Sequence, residues 1–226
     1  VLSLFNIRSP LLMEKLFLYL CMNGTEIFNA TTAAKELENT SVATVESYIK
    51  ALEMSNLIYL AKPMDVGSKG ALKGKPKIFI ADAAICSAVL MIDDVLSDES
   101  ELGAMVETTV YKHMLSFYQG SPAQLGYFRK ARDNQKEVDV VAELPRQKIL
   151  CEVKYRNNSH IAATDAIVEL CQDQTTNVTN AFLITKRLDD FGITRHETAI
   201  PILRVPAIAF LYMLGKAEAL GHSGKL

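Results

Sequence analysis

Four residues in the second half of the sequence have the types and spacing to act on a phosphodiester: Glu107, Asp139, Glu152 and Lys154. Asp139 lies in Glu137-Val138-Asp139-Val140-Val141, and the other pair lies in Cys151-Glu152-Val153-Lys154-Tyr155. Residues two apart on a strand share a face, so Glu152 and Lys154 point one way and Cys151 and Val153 the other, toward a core. The 13 residues from Asp139 to Glu152 suit two adjacent antiparallel strands joined by a short turn, with Asp139 beside the pair. Two carboxylates hold a hard divalent cation such as Mg²⁺ or Mn²⁺. A neighbouring lysine orients an attacking water and stabilises developing negative charge. The metal polarises the phosphodiester and lowers the pKa of its water. A lone Glu-x-Lys carries little weight, because exposed strands often bear such a pair. Asp139 adds more, because a carboxylate among Val138, Val140 and Val141 is costly unless something pairs with it.

The elements that must position these residues read as follows. Residues 103–118 form a helix with Val106, Val110 and Met114 on one stripe and Glu107 on the same helix. Three strands follow at Leu125–Arg129, Val138–Glu143 and Lys148–Tyr155, separated by the turn signals Asp133-Asn134 and Pro145-Arg146. A helix is expected over 161–173, buried strands at 181–185 and 200–205, and a last helix opened by Pro206.

The first part has another rhythm. Ser9-Pro10 opens a helix that Asn23-Gly24 ends. Thr31 or Thr32 is the expected cap of a short second helix, and Thr40-Ser41 caps a third with Val45, Tyr48, Ile49 and Leu52 as its buried stripe. Strands at 57–60 and 77–80 flank a Gly/Lys-rich tip from Gly67 to Gly74. Helix, turn, helix and hairpin make a winged helix-turn-helix. Five lysines crowd 62–77 (Lys62, Lys69, Lys73, Lys75, Lys77), and six acids without a base crowd 93–107. That charge shift divides the chain into 1–90, an acidic linker 91–102, and 103–226. Lys69, Lys73 and Lys75 on the wing and Lys50 on the third helix are the candidate contacts to DNA or RNA phosphates.

Composition sets the outer bounds. The 226 residues carry a formal net charge of −2 and are 49% hydrophobic, which excludes a polycation and a disordered chain. No apolar run reaches the ~18 residues of a membrane span, and no secretory signal is visible, so a cytoplasmic protein without membrane contact is expected. Cys21, Cys86, Cys151 and Cys171 form no C-x-x-C pair and read as reduced, buried thiols. The four histidines make no ligand pair. Val1 in place of methionine suggests a piece of a longer chain.

In the order and spacing of these motifs the second part resembles a PD-(D/E)XK nuclease-fold domain. The whole chain resembles the C-terminal region, of unknown function, of a family of bacterial and archaeal AAA+-type ATPases. Its segments Thr44–Glu53, Asn56-Leu57-Ile58, Pro76–Asp82, Gly103–Glu107, Tyr127-Phe128-Arg129, Glu137–Val140 and Cys151–Lys154 carry that resemblance. It implies an α/β (α+β) architecture: a winged helix-turn-helix followed by a restriction-endonuclease-like domain with an α-β-β-β-α-β core. It implies Asp139 and Glu152 as Mg²⁺ or Mn²⁺ ligands, Lys154 as the catalytic lysine and Glu107 as the helix-borne acid that completes the site. Val138 stands where the motif has proline, and Thr108 where the family has asparagine. No G-x-x-x-x-G-K-[ST] occurs, so an ATP site belongs to an upstream ATPase domain, which would be the chain's partner. The implied activity is metal-dependent cleavage of DNA or RNA. The alternatives are a silent binding or regulatory module of the ATPase, and a homo-oligomerisation scaffold for it.

Overall fold

The computed structural model describes residues 5, 7–66, 74–130 and 136–222. Among them are seven α-helices and one mixed eight-stranded sheet. Helix α1 (Pro10–Met22) starts where Ser9 Oγ accepts from the Leu12 amide, with Pro10 at its first position. Helix α2 (Ala30–Glu36) is capped by Asn29, not by Thr31 or Thr32, because the Asn29 side chain accepts from the Thr31 amide. Helix α3 (Val42–Met54) is capped by Ser41, and its buried face is Val45, Tyr48, Ile49, Ala51 and Leu52. Strands β1 (Ile58–Pro63) and β2 (Lys77–Ile80) pair antiparallel.

Two helices depart from the sequence expectation at this junction. Helix α4 (Ala83–Val89) begins after Asp82, whose Oδ1 accepts from the Ala84 amide. Helix α5 (Glu99–Phe117) begins four residues before Gly103, inside the acidic stretch. Asp98 caps it through the Ser100 and Glu101 amides, and Glu99 and Glu101 sit in its first turn, where the helix dipole favours negative charge. The acids at this end therefore start a helix.

Strands β3 (Gln124–Arg129), β4 (Glu137–Leu144) and β5 (Gln147–Lys154) form the expected antiparallel meander. Helix α6 (Ala166–Gln172) is shorter than expected: ahead of it the Asp165 carboxylate accepts from the Ala162 amide in a turn. Strand β6 (Val178–Thr185), a two-residue strand β7 (Gly192–Ile193), strand β8 (Ile202–Pro206) and helix α7 (Ala207–Ala219) complete the chain. Strands β5, β6 and β8 run parallel.

The strand order is β2-β1-β3-β4-β5-β6-β8-β7. The hairpin of the N-terminal part is thus the edge of the larger sheet, joined where β1 pairs parallel with β3 through Lys62 and Gly126. Phe79 of β2 stacks on Tyr111 of α5 with ring centroids 4.3 Å apart. One core layer unites Phe79, the α5 face, Val140, Cys151 and α7, while a second packs α6 against Val138, Val141, Leu150 and Leu183. The N-terminal helices keep a core of their own around Leu16, Tyr48 and Ile58. No helix among the described residues is long and apolar enough to cross a membrane. Cys21, Cys151 and Cys171 are buried and Cys86 is half-buried, all as free thiols.

Candidate functional site

Strand β4 delivers Asp139 through an irregularity. Between Gly126 and Phe128 of β3 the partner on β4 jumps from Val141 to Val138, so β4 holds one extra residue. Val138 consequently packs in the α6 layer and Val140 in the α5 layer, although they are two apart. Bulges of this kind re-aim a side chain. The β4–β5 ladder ends at Val140 and Cys151, and the Asp139 carboxylate takes over from the main chain: its Oδ2 accepts from the Val153 amide at 2.8 Å.

The other Asp139 oxygen faces a residue that sequence reasoning placed in a basic stretch and at the head of a strand, but not at the site. Lys77, at the start of β2, is buried, with 5% of its side chain exposed. Its ammonium lies 2.5 Å from Glu107 Oε1, 2.7 Å from Glu137 Oε1 and 3.7 Å from Asp139 Oδ1. Burial lowers the lysine's proton affinity, but the Glu107, Asp139 and Glu137 carboxylates outweigh it and hold the pKa above the usual lysine value. Lys77 is therefore charged. Burial, with Asp139 close by, pushes Glu107 up to about 8 against the pull of Lys77.

Glu152 has different company. Cys151 packs in the α5 layer, and Leu183, the β6 partner of Glu152, packs in the α6 layer. Alternation therefore starts the Glu152 and Lys154 side chains on the α6 side. Glu152 Oε1 pairs with the Lys154 ammonium, while Glu152 Oε2 is buried without a hydrogen-bond partner. Burial and the Asp139 charge push Glu152 up to about 8, against Lys154. Lys154 is itself half-buried and held above its ordinary value, because Glu152 outweighs desolvation.

The structure thus brings Glu107 and Asp139 together around Lys77, with Glu137 as a fourth member, and sets Glu152 and Lys154 as a neighbouring pair. Asp139 acts electrostatically on both Glu152 and Lys154 and lines the same cleft as Lys154. Four carboxylates face two lysines, so the cluster carries two excess negative charges when all are ionised. Yet among the described residues no three Asp, Glu, His or Cys side chains converge to hold a metal ion. Lys77 occupies the space between Glu107, Glu137 and Asp139 that a cation would need there. A cleft of about 640 Å³ opens beside the cluster, lined by Glu107, Asp139 and Lys154 and, from the N-terminal part, by Cys21, Glu26 and Cys86.

Of the candidate nucleic-acid contacts, Lys50 and Lys75 are exposed, on α3 and just before β2. Both line an open groove with Glu46 and Glu53, so that surface is not uniformly basic. Lys69 and Lys73 lie outside the described residues. The sequence signal that would have found Lys77 is its place at the head of Ile78-Phe79-Ile80, a strand buried on both faces, where a lysine needs partners.

Family comparison divides the chain in two. Residues 102–205 match a domain of unknown function, DUF4143, and residues 1–96 match a second, DUF8612. No curated protein matches the chain.

Proposed function

We propose that this chain is a winged helix-turn-helix joined to a PD-(D/E)XK-like domain, that it is the C-terminal part of an AAA+-type ATPase, and that it serves that ATPase as a catalytically silent binding and regulatory module. The helix-helix-hairpin order of residues 10–80 and the helix-meander-helix-strand order of 99–185 support the two fold assignments. The observation that carries the functional reading is the Lys77 ammonium seated between Glu107, Glu137 and Asp139. A tethered cation there competes with any metal for the same oxygens. It also fastens the hairpin of the N-terminal part to the acidic cluster of the second. Lys50 and Lys75, with Lys69 and Lys73 of the wing, are the residues for nonspecific contact with DNA or RNA phosphates.

A second reading rests on the unpartnered Glu152 Oε2 and the excess negative charge. In it the module is a nuclease, with Asp139 and Glu152 as Mg²⁺ or Mn²⁺ ligands, Lys154 beside the attacking water and Glu107 in support. The two readings separate in one assay: DNA and RNA, single- and double-stranded, incubated with the protein and millimolar Mg²⁺ or Mn²⁺, beside Asp139→Ala. The silent module leaves every substrate intact. Cleavage that Asp139→Ala abolishes would establish the nuclease and overturn the silent reading.

A further inference from the structure

A second cleft, of about 510 Å³, lies away from the acidic cluster, on the flank of the sheet formed by β6, β8 and β7. Its walls come from the two segments that follow the carboxyl ends of parallel strands β5 and β6, residues 157–161 and Arg187, Asp189 and Asp190, closed by Thr194, Arg195, His196 and Arg204. Carboxyl ends of parallel strands are where open α/β sheets receive ligands, because the diverging loops leave a crevice. The lining is mostly polar, so a polar ligand is called for.

The charges in this cleft are sorted. Asp189 is held by Arg187, Nε to Oδ1 at 3.1 Å and Nη2 to Oδ2 at 2.8 Å. Asp190 takes Arg204 Nη1 and Ser159 Oγ, both at 2.8 Å. His196 Nε2 donates to the Ile161 carbonyl at 2.9 Å. What remains is donor capacity without acceptors. Arg204 Nε is buried and has no partner. Thr194 is 8% exposed, its amide donates to Ile202, and its hydroxyl has no partner. Arg195 is exposed and has no partner among the described residues. Three guanidiniums face two carboxylates, leaving one cation in excess. Burying a donor without an acceptor is destabilising, and two such donors belong to residues that line one cleft.

We infer that this cleft binds a phosphate-bearing ligand, with Arg195, the Arg204 Nε–H and the Thr194 hydroxyl as its donors. A phosphate group has the acceptor oxygens that these donors lack, and guanidinium is the side chain suited to it. The phosphate can belong to a free nucleotide or to the end of a nucleic acid, and the cleft's volume admits a mononucleotide. This site is separate from the acidic cluster and stands whether or not that cluster is silent.

The test uses the whole chain and inorganic phosphate as the probe, followed by ¹H–¹⁵N NMR shifts of the Thr194, Arg195 and His196 amides. A 5′-mononucleotide and an oligonucleotide with and without its 5′-phosphate form the other arms. Saturable shifts confined to this cleft are expected. Arg195→Gln should weaken binding about tenfold and Thr194→Val several-fold; Arg195→Gln should melt with the parent, and Thr194→Val, which removes a buried unpaired hydroxyl, should melt no lower than the parent. A tighter mononucleotide identifies a nucleotide site, and a preference for the phosphorylated oligonucleotide identifies a nucleic-acid end; both support the inference. Absence of saturable shifts, or binding unchanged in both variants, would overturn it.

Discussion

Replacing Lys77 with methionine removes one ammonium and leaves Glu107, Glu137 and Asp139 facing each other. Methionine is one heavy atom shorter and keeps an unbranched apolar stem beside Phe79, so the main loss is the charged ammonium. Lys77 is 5% exposed and its three partners are 13%, 24% and 16% exposed, so solvent screens the cluster poorly. Breaking a buried ion pair by deleting one partner costs about 3–5 kcal/mol, because the remaining charges are left uncompensated. For a chain of this size that corresponds to a melting temperature lower by roughly 6–20 °C. Thermal and urea unfolding at about pH 9, above the value of about 8 at which Glu107 gives up its proton, followed by circular dichroism, read the effect. A double-mutant cycle with Glu107→Gln isolates the pair, since two groups 2.5 Å apart must couple. The expected coupling is about 1–3 kcal/mol, with the double variant more stable than additivity allows. A loss below ~1 kcal/mol, the size of a surface pair, or strict additivity with Glu107→Gln, would refute the reasoning.

Two more predictions follow from the same geometry. Glu107 and Glu152 titrate near 8 in the folded chain and near 4.5 when unfolded, so between those values the folded state holds the extra protons. Stability therefore falls as pH rises from about 4.5 to about 8; urea midpoints across this window should decline, Glu152→Gln should flatten the decline, and a rise would contradict the assignment. At the seam between the two parts, a Cβ on Gly126 would sit 2.0 Å from the Lys62 carbonyl oxygen and 2.6 Å from Met64 Cγ. Gly126→Ala should push β1 off β3 and cost about 3 kcal/mol or more by overpacking, against under 1 kcal/mol for Gly103→Ala, where the added Cβ meets nothing; equal melting temperatures for the two would show that the seam is soft.

Much of this architecture is legible in local sequence. The apolar stripe Val45, Tyr48, Ile49, Leu52 marks α3, and the valine-rich runs around Asp139 and Cys151 mark β4 and β5, because side-chain periodicity is a local property. The parallel pairing of β1 with β3 joins Lys62 to Gly126 across sixty-odd residues, and no periodicity reports it. That pairing places Lys77 at the acidic cluster, so the lysine's role was hidden for the same reason. Glu137 was visible only as the residue before Val138. The β4 bulge is equally silent in sequence, since Val138-Asp139-Val140 alternates as a regular strand would.

The central claim is that the Lys77 ammonium, and not a metal, holds the carboxylates of Glu107, Glu137 and Asp139. The most direct measurement is ¹⁵N NMR of the lysine ammonium groups, with Lys77 assigned by its loss in Lys77→Met. The account predicts a slowly exchanging Lys77 ammonium resonance that shifts in Glu107→Gln and stays in place when millimolar Mg²⁺ is added. A Lys77 signal that exchanges as fast as those of Lys50 and Lys75, or one that Mg²⁺ displaces, would contradict it.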